Sequence, residues 1–210
     1  MKAIRCSLLL VFMTSFGASF ANAQAGLDVF FGLGTAQASS SNQLIDTFGD
    51  GNLYSTPRLG GVFGKAGADV MLTPHFGVNG ELDFRFAQTN YAGLQYRPVF
   101  YDFNGVWLPF GDRFKRIVPE VEAGFGGVNL RFYYPSSYCD AFAGCSNANQ
   151  YLESSNHFQF HFAAGLRVYV TSHIFVRPQV DAHWVNNFYQ FGTNWVPEYG
   201  AVVGWSFGSH

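Results

Sequence analysis

The side chains able to do chemistry in this sequence are 14 acids, 12 bases, six histidines and three cysteines. Many of the charges fall in one phase of an apolar/polar alternation. They are Lys65, Asp69, Glu81, Asp83, Arg85, Asp102, Glu120, Glu122, Arg167, Arg177, Asp181 and Glu198. Residues two apart share one face of a strand. A three-residue turn at Thr73–His75 then sets Lys65 opposite Asp83. The same arithmetic at Thr171–His173 sets Arg167 opposite Arg177 and His161 opposite His183. The two arginines need acids, and Glu120 and Glu122 of the preceding segment lie at similar depth. Such a set reads as a satisfied polar network, not as a reactive centre.

The other reactive types are sparse. His161 and His183 are read as a hydrogen-bonded pair, with no metal expected. His157 and His161 lie four residues apart on one strand, about 13 Å, which is too far to share an ion. Glu153, Ser155 and His157 have the residue types of nucleophilic hydrolysis, yet they sit where a strand begins and are read as an ordinary loop end. No phosphate-cradling loop or nucleotide fingerprint is present, so neither a cofactor nor catalysis is expected. The net charge of −2, with no Lys/Arg run, gives no footprint for nucleic acid.

The first 23 residues have the form of a secretory leader. Lys2 and Arg5 precede an apolar stretch that includes Leu8, Leu9, Leu10, Val11 and Phe12, and Ala21-Asn22-Ala23 fits a cleavage site. Cleavage there leaves one domain over 24–210, and Ala23-Gln24-Ala25 is the alternative site, giving a leader of 1–25. Cys139 and Cys145 remain after cleavage, and in an exported chain this spacing suggests a disulfide.

Beyond the leader, alternation recurs in eight segments: 26–35, 61–72, 76–86, 97–108, 117–134, 158–170, 174–185 and 195–207. Period two marks strands with two unlike faces. In the fifth, the phase blurs at Gly126-Gly127, where a bulge is expected. The connections alternate short and long, as in an antiparallel up-and-down meander. The long ones are 36–57, 87–96, 135–157 and 186–194.

A soluble barrel would turn the apolar face inward. Three features favour the inverse: the charges can pair, glycines such as Gly32, Gly67, Gly77, Gly165, Gly200 and Gly204 share the polar face, and aromatics form two bands. Trp107, Phe110, Trp205 and Phe207 lie toward the short turns, while Trp184, Phe188, Tyr189 and Trp195 lie toward the long connections. Such girdles mark the two interfaces of a membrane. A one-residue slip of the third segment would set Glu81, Asp83 and Arg85 against lipid, and basic residues there cost about 2–4 kcal/mol each.

Over nearly its whole length after the leader, the chain resembles the small eight-stranded outer-membrane barrels of the OmpA and OmpX type. Glu198-Tyr199-Gly200-Ala201-Val202-Val203-Gly204-Trp205 fits the polar-x-Gly-x-x-apolar-x-apolar pattern of that family's last strand. Gly208, Ser209 and His210 follow where the family has a terminal aromatic. The resemblance implies an all-β, eight-stranded transmembrane barrel domain alone, with short periplasmic turns and long extracellular loops. It implies a monomer in the bacterial outer membrane, surrounded by lipid and lipopolysaccharide. The barrel-assembly machinery would engage the last strand. Glu153, Ser155 and His157 do not follow the His-x-Ser order of the barrel deacylases. The expected role is structural, or surface interaction through Tyr134, Tyr138, Phe142 and Tyr151 of the third long loop. A narrow or gated pore is the alternative, and a lipid-modifying enzyme a third.

Overall fold

The computed structural model describes residues 26–38, 44–46, 49–57, 59–111, 116–140 and 144–207. The leader lies outside them. Eight long antiparallel strands form one closed barrel: β1 Gly26–Ala36, β2 Phe63–Met71, β3 Phe76–Arg85, β4 Leu94–Trp107, β5 Ile117–Asp140, β6 Gly144–Tyr169, β7 Ile174–Val185 and β8 Trp195–Phe207. Each pairs with its sequence neighbours, and β1 pairs with β8 to close the ring. Tight turns join β2 to β3 and β6 to β7, where the Thr73 and Thr171 hydroxyls accept backbone N–H groups of the turns.

The stagger of the barrel can be read from the ladders. Partners followed from Trp184 run through Phe160, Phe125, Phe103, Gly80, Ala68, Val29 and Trp205, and return to β7 at Ile174. The offset is the ten residues between 184 and 174. Eight strands about 4.8 Å apart, staggered by ten residues of about 3.3 Å, tilt by about 40°.

The phase is inverted as expected. Phe31 is 69% exposed and Phe103 63%, whereas Lys65, Asp83 and Asp181 are each 1%. Trp195 and Trp205 lie ten positions apart on β8 and are both exposed. At that tilt their separation along the barrel axis is about 25 Å, the height of an outer-membrane apolar band. Trp107, Phe110 and Phe207 are exposed toward the short turns, and Trp184 is half-buried beside Trp195.

Four details correct the sequence reading. The ladder crosses Gly126-Gly127 without a slip, and the shift comes at Phe132/Tyr133. The two glycines erased the side-chain signal, not the backbone phase. Residues 135–157 are no open loop: β5 and β6 stay paired as far as Asp140 and Gly144, making a two-stranded ribbon beyond the barrel. The connection 87–96 is also a hairpin, turning at Ala92 and Gly93, both at positive φ, as a tight two-residue turn requires. Phe188 is not a girdle residue, because it is fully buried against Phe191, with ring centroids 4.3 Å apart.

Candidate functional site

The lumen is layered. On the long-connection side, Phe63, Tyr96, Phe100, Val128, Leu130, Phe188, Phe191 and Val196 pack into an apolar plug. On the short-turn side, Met71, Val106, Leu108 and Val118 form a second plug, while Phe30, Phe175 and Val202 form a third cluster set among the charges, Phe30 lying two residues above Asp28 on β1. Between the plugs lies a belt of charge. Glycines make the room: a Cβ on Gly67 would collide with Phe30, one on Gly204 with Phe175, and one on Gly200 would meet Lys65 Cδ at 2.8 Å.

Two cationic hubs organise the belt. The Lys65 ammonium lies 2.8 Å from Glu81, 3.0 Å from Asp83, 3.3 Å from Asp181 and 2.9 Å from Glu198. The Lys65–Asp83 pair is the one the turn arithmetic predicts. Arg167 bridges Asp28, Glu120 and Asp69, the last at 2.8 Å. Arg177 reaches Glu120 at 2.6 Å, Glu122 at 3.1 Å, Asp69 at 3.3 Å and Glu81 at 3.5 Å. The third cluster packs directly on the arginines, with Arg177 4.2 Å from the Phe30 ring centroid and Arg167 5.3 Å from that of Phe175. Cation–π contact suits a desolvated guanidinium.

Arg85 departs from the expected network. It shares the inward phase but lies two residues beyond Asp83, level with the outer plug. Its guanidinium lies 5.9 Å from the Tyr96 ring, and no acid is within salt-bridge distance among the described residues. Asp102 receives the Gln159 amide at 2.6 Å and faces His183 at 3.8 Å. Asp28 completes the Arg167 hub and is absent from the sequence-based set. Its signal was its place in the phase of Gly32, two positions from Phe30. Asn79, Asn104, Gln159 and Gln179 were also missed, and they bond Asp69, Glu122, Asp102 and Asp181 respectively.

His161 and His183 oppose one another in register as predicted, but they stack, with centroids 4.7 Å apart and planes 23° from parallel. His161 instead bonds Asn104 at 3.0 Å and Asp181 at 3.2 Å. Asp102, His161 and His183 lie close enough to share an ion. Stacked imidazoles turn faces toward each other while their lone pairs lie in the ring planes, so the stack is not itself a chelate.

The family model of the outer membrane protein beta-barrel domain matches residues 6–207. The chain belongs to this outer-membrane barrel family. Solved barrels share its fold. Neisserial surface protein A aligns with TM-score 0.56 at 14% identity, covering 86% of this chain and 97% of that one. OprG of Pseudomonas aeruginosa aligns at 0.54 and 12%, covering 89% and 98%. Ail of Yersinia pestis aligns at 0.51 and 11%, covering 87% and 99%. A search of curated proteins returns no match.

At the barrel's outer rim, Ser155 Oγ lies 3.2 Å from His157 Nε2, and His157 Nδ1 lies 3.3 Å from the Asn186 carbonyl. Glu153 pairs with Phe132 in the ladder and makes no described contact with either. The ribbon above carries Tyr134 at 57% and Tyr151 at 60% exposure. The Tyr151 ring meets Tyr133 edge-on at 6.2 Å. Asn149 bonds Gln95 at 2.7 Å and also Gln88, which ties the ribbon to the neighbouring hairpin. The backbones of Cys139 and Cys145 are direct ladder partners. Their side chains and that of Tyr138, together with all of Phe142, lie outside what the structure describes.

In the first long connection, the Asn52 backbone N–H and side-chain amide hold the Asp50 carboxyl below its usual pKa.

Proposed function

We propose that this outer-membrane barrel is a closed scaffold whose work is done at its outer surface, by the β5–β6 ribbon. The observation that carries this reading is the pair of apolar plugs, one at each end of a charge-paired belt. A solute would have to displace both plugs and break the Lys65 and Arg177 hubs. Ail, a barrel of the same fold, has been solved with the heparin analogue sucrose octasulfate, which sets a precedent for recognition by such a scaffold. In this reading the leader directs export and the last strand engages the assembly machinery. The monomer stands in lipid and lipopolysaccharide, and a Cys139–Cys145 disulfide staples the ribbon tip. No residue is assigned to catalysis.

Planar-bilayer recording of the folded monomer tests the closed lumen: no large steady conductance is expected, and observing one overturns the reading. Ligand capture on glycan arrays should disappear when 134–151 is excised while heat-modifiable gel mobility persists. Capture that survives excision removes the ribbon as the recognition element.

A further inference from the structure

The β4–β5 ladder sets Arg97 directly across from Arg131. Both are in the outward phase, Arg97 with Val99 and Tyr101, Arg131 with Phe125 and Asn129. Like charges directly opposite one another destabilise a sheet. Among the described residues, neither arginine has a carboxylate within salt-bridge distance. On β6 the same face carries Ser154 across from Arg131 and Asn156 across from Asn129, both neutral.

Both side chains are nevertheless held. Arg97 Nη2 donates to the Phe86 carbonyl at 3.1 Å. Arg131 Nε donates to Asn129 Oδ1 at 3.0 Å, and Asn129 in turn donates to Asn156 at 2.7 Å. These bonds orient two guanidinium groups; Arg97 Nε is buried without a partner among the described residues, and the remaining Nη donors are left for something outside the barrel.

Depth narrows what that is. The ladder descends ten residues per circuit, or a little over one per strand. The positions level with Trp184 are then near Val99 on β4 and Gly127–Val128 on β5. Arg97 and Arg131 lie two and three to four residues further toward the long connections. At the barrel's tilt these are about 5 Å and about 9 Å beyond the aromatic ring, the depth of lipid headgroups. Phe86 lies beside Arg97, and exposed Tyr101, Phe103 and Phe125 continue the apolar wall toward the membrane centre, Phe103 and Phe125 about 15 Å deeper, a length acyl chains can cover. Paired guanidinium groups suit an anion that takes bidentate bonds, and at headgroup depth the abundant anion of that kind is a lipid phosphate.

We propose that Arg97 and Arg131 clamp a phosphate of an outer-leaflet glycolipid whose acyl chains lie on that wall. The inference rests on the long connections facing outward. Native mass spectrometry of the folded chain in detergent tests it, with bisphosphorylated lipid A, dephosphorylated lipid A, phosphatidylglycerol and inorganic phosphate as probes. Wild type should retain bisphosphorylated lipid A at least about tenfold better than the dephosphorylated form, roughly 1.4 kcal/mol or more. The R97Q/R131Q double variant, with heat-modifiable mobility as its folding control, should lose that preference. Equal retention of both lipid A forms by wild type, or an undiminished preference in the double variant, overturns the clamp. Equal retention of phosphatidylglycerol, or competition by inorganic phosphate at matching concentration, overturns the glycolipid assignment. Protease access to the ribbon on intact cells tests the orientation separately.

Discussion

Arg177 touches four carboxylates, Asp69, Glu81, Glu120 and Glu122, from a position with no solvent exposure. Removing one partner of a buried ion pair leaves charge uncompensated and costs about 3–5 kcal/mol. Arg177→Met should therefore lower the stability of the folded barrel by at least that much in urea titration. Glu122→Gln should behave differently. The buried set holds nine carboxylates (Asp28, Asp69, Glu81, Asp83, Asp102, Glu120, Glu122, Asp181 and Glu198) against Lys65, Arg85, Arg167 and Arg177. Glutamine keeps an acceptor for Arg177 and removes one surplus negative charge, so stability should stay within about 1 kcal/mol of wild type or rise. A greater loss for Glu122→Gln than for Arg177→Met would mean that the belt is not short of cations. The Lys65–Asp83 pair and the approach of Glu120 and Glu122 to the arginines were legible because turn length fixes register and register fixes pairing between neighbouring strands; partners reached across the lumen were not. The position of Arg85 was not, because phase says which way a side chain points and nothing about how far along the lumen it lies.

At the scale of elements, the strands and their inward phase follow from alternation, which exists wherever a strand separates lipid from lumen. Residues 135–157 lack it because the ribbon stands clear of both, so paired strands there look like a loop. The plugs were missed for a related reason. Phe30, Phe63, Phe100 and Phe175 occupy the charged phase, where an aromatic reads as noise until the barrel closes around it. Their dependence on glycine gives a prediction. Gly67→Ala drives a methyl into the Phe30 ring and toward the Gly80 carbonyl. Overpacking of this kind costs about 1–3 kcal/mol. The variant should unfold at lower urea, and Gly67→Ala with Phe30→Leu should recover most of the loss; no recovery would show that the backbone approach, not the ring, sets the limit.

For the whole molecule, the ten-residue stagger and the Trp195–Trp205 spacing fix a membrane-spanning height of about 25 Å. Folding into vesicles, followed by heat-modifiable mobility, should be fastest in short-chain lipids near that thickness and slow as the chains lengthen; an unchanged rate would detach the girdles from the interfaces. The belt has a consequence for assembly. The Arg167 hub draws Asp28 from β1, Asp69 from β2 and Glu120 from β5, while Lys65 on β2 must meet Asp181 on β7 and Glu198 on β8. No run of strands consecutive in sequence short of the full eight contains both hubs complete. An open, half-made sheet would present stranded charges, and only the meeting of β1 with β8 quenches them together. The network thus acts as a latch: closing the ring becomes all-or-none, and a barrel that has lost its seam gains little by keeping the rest.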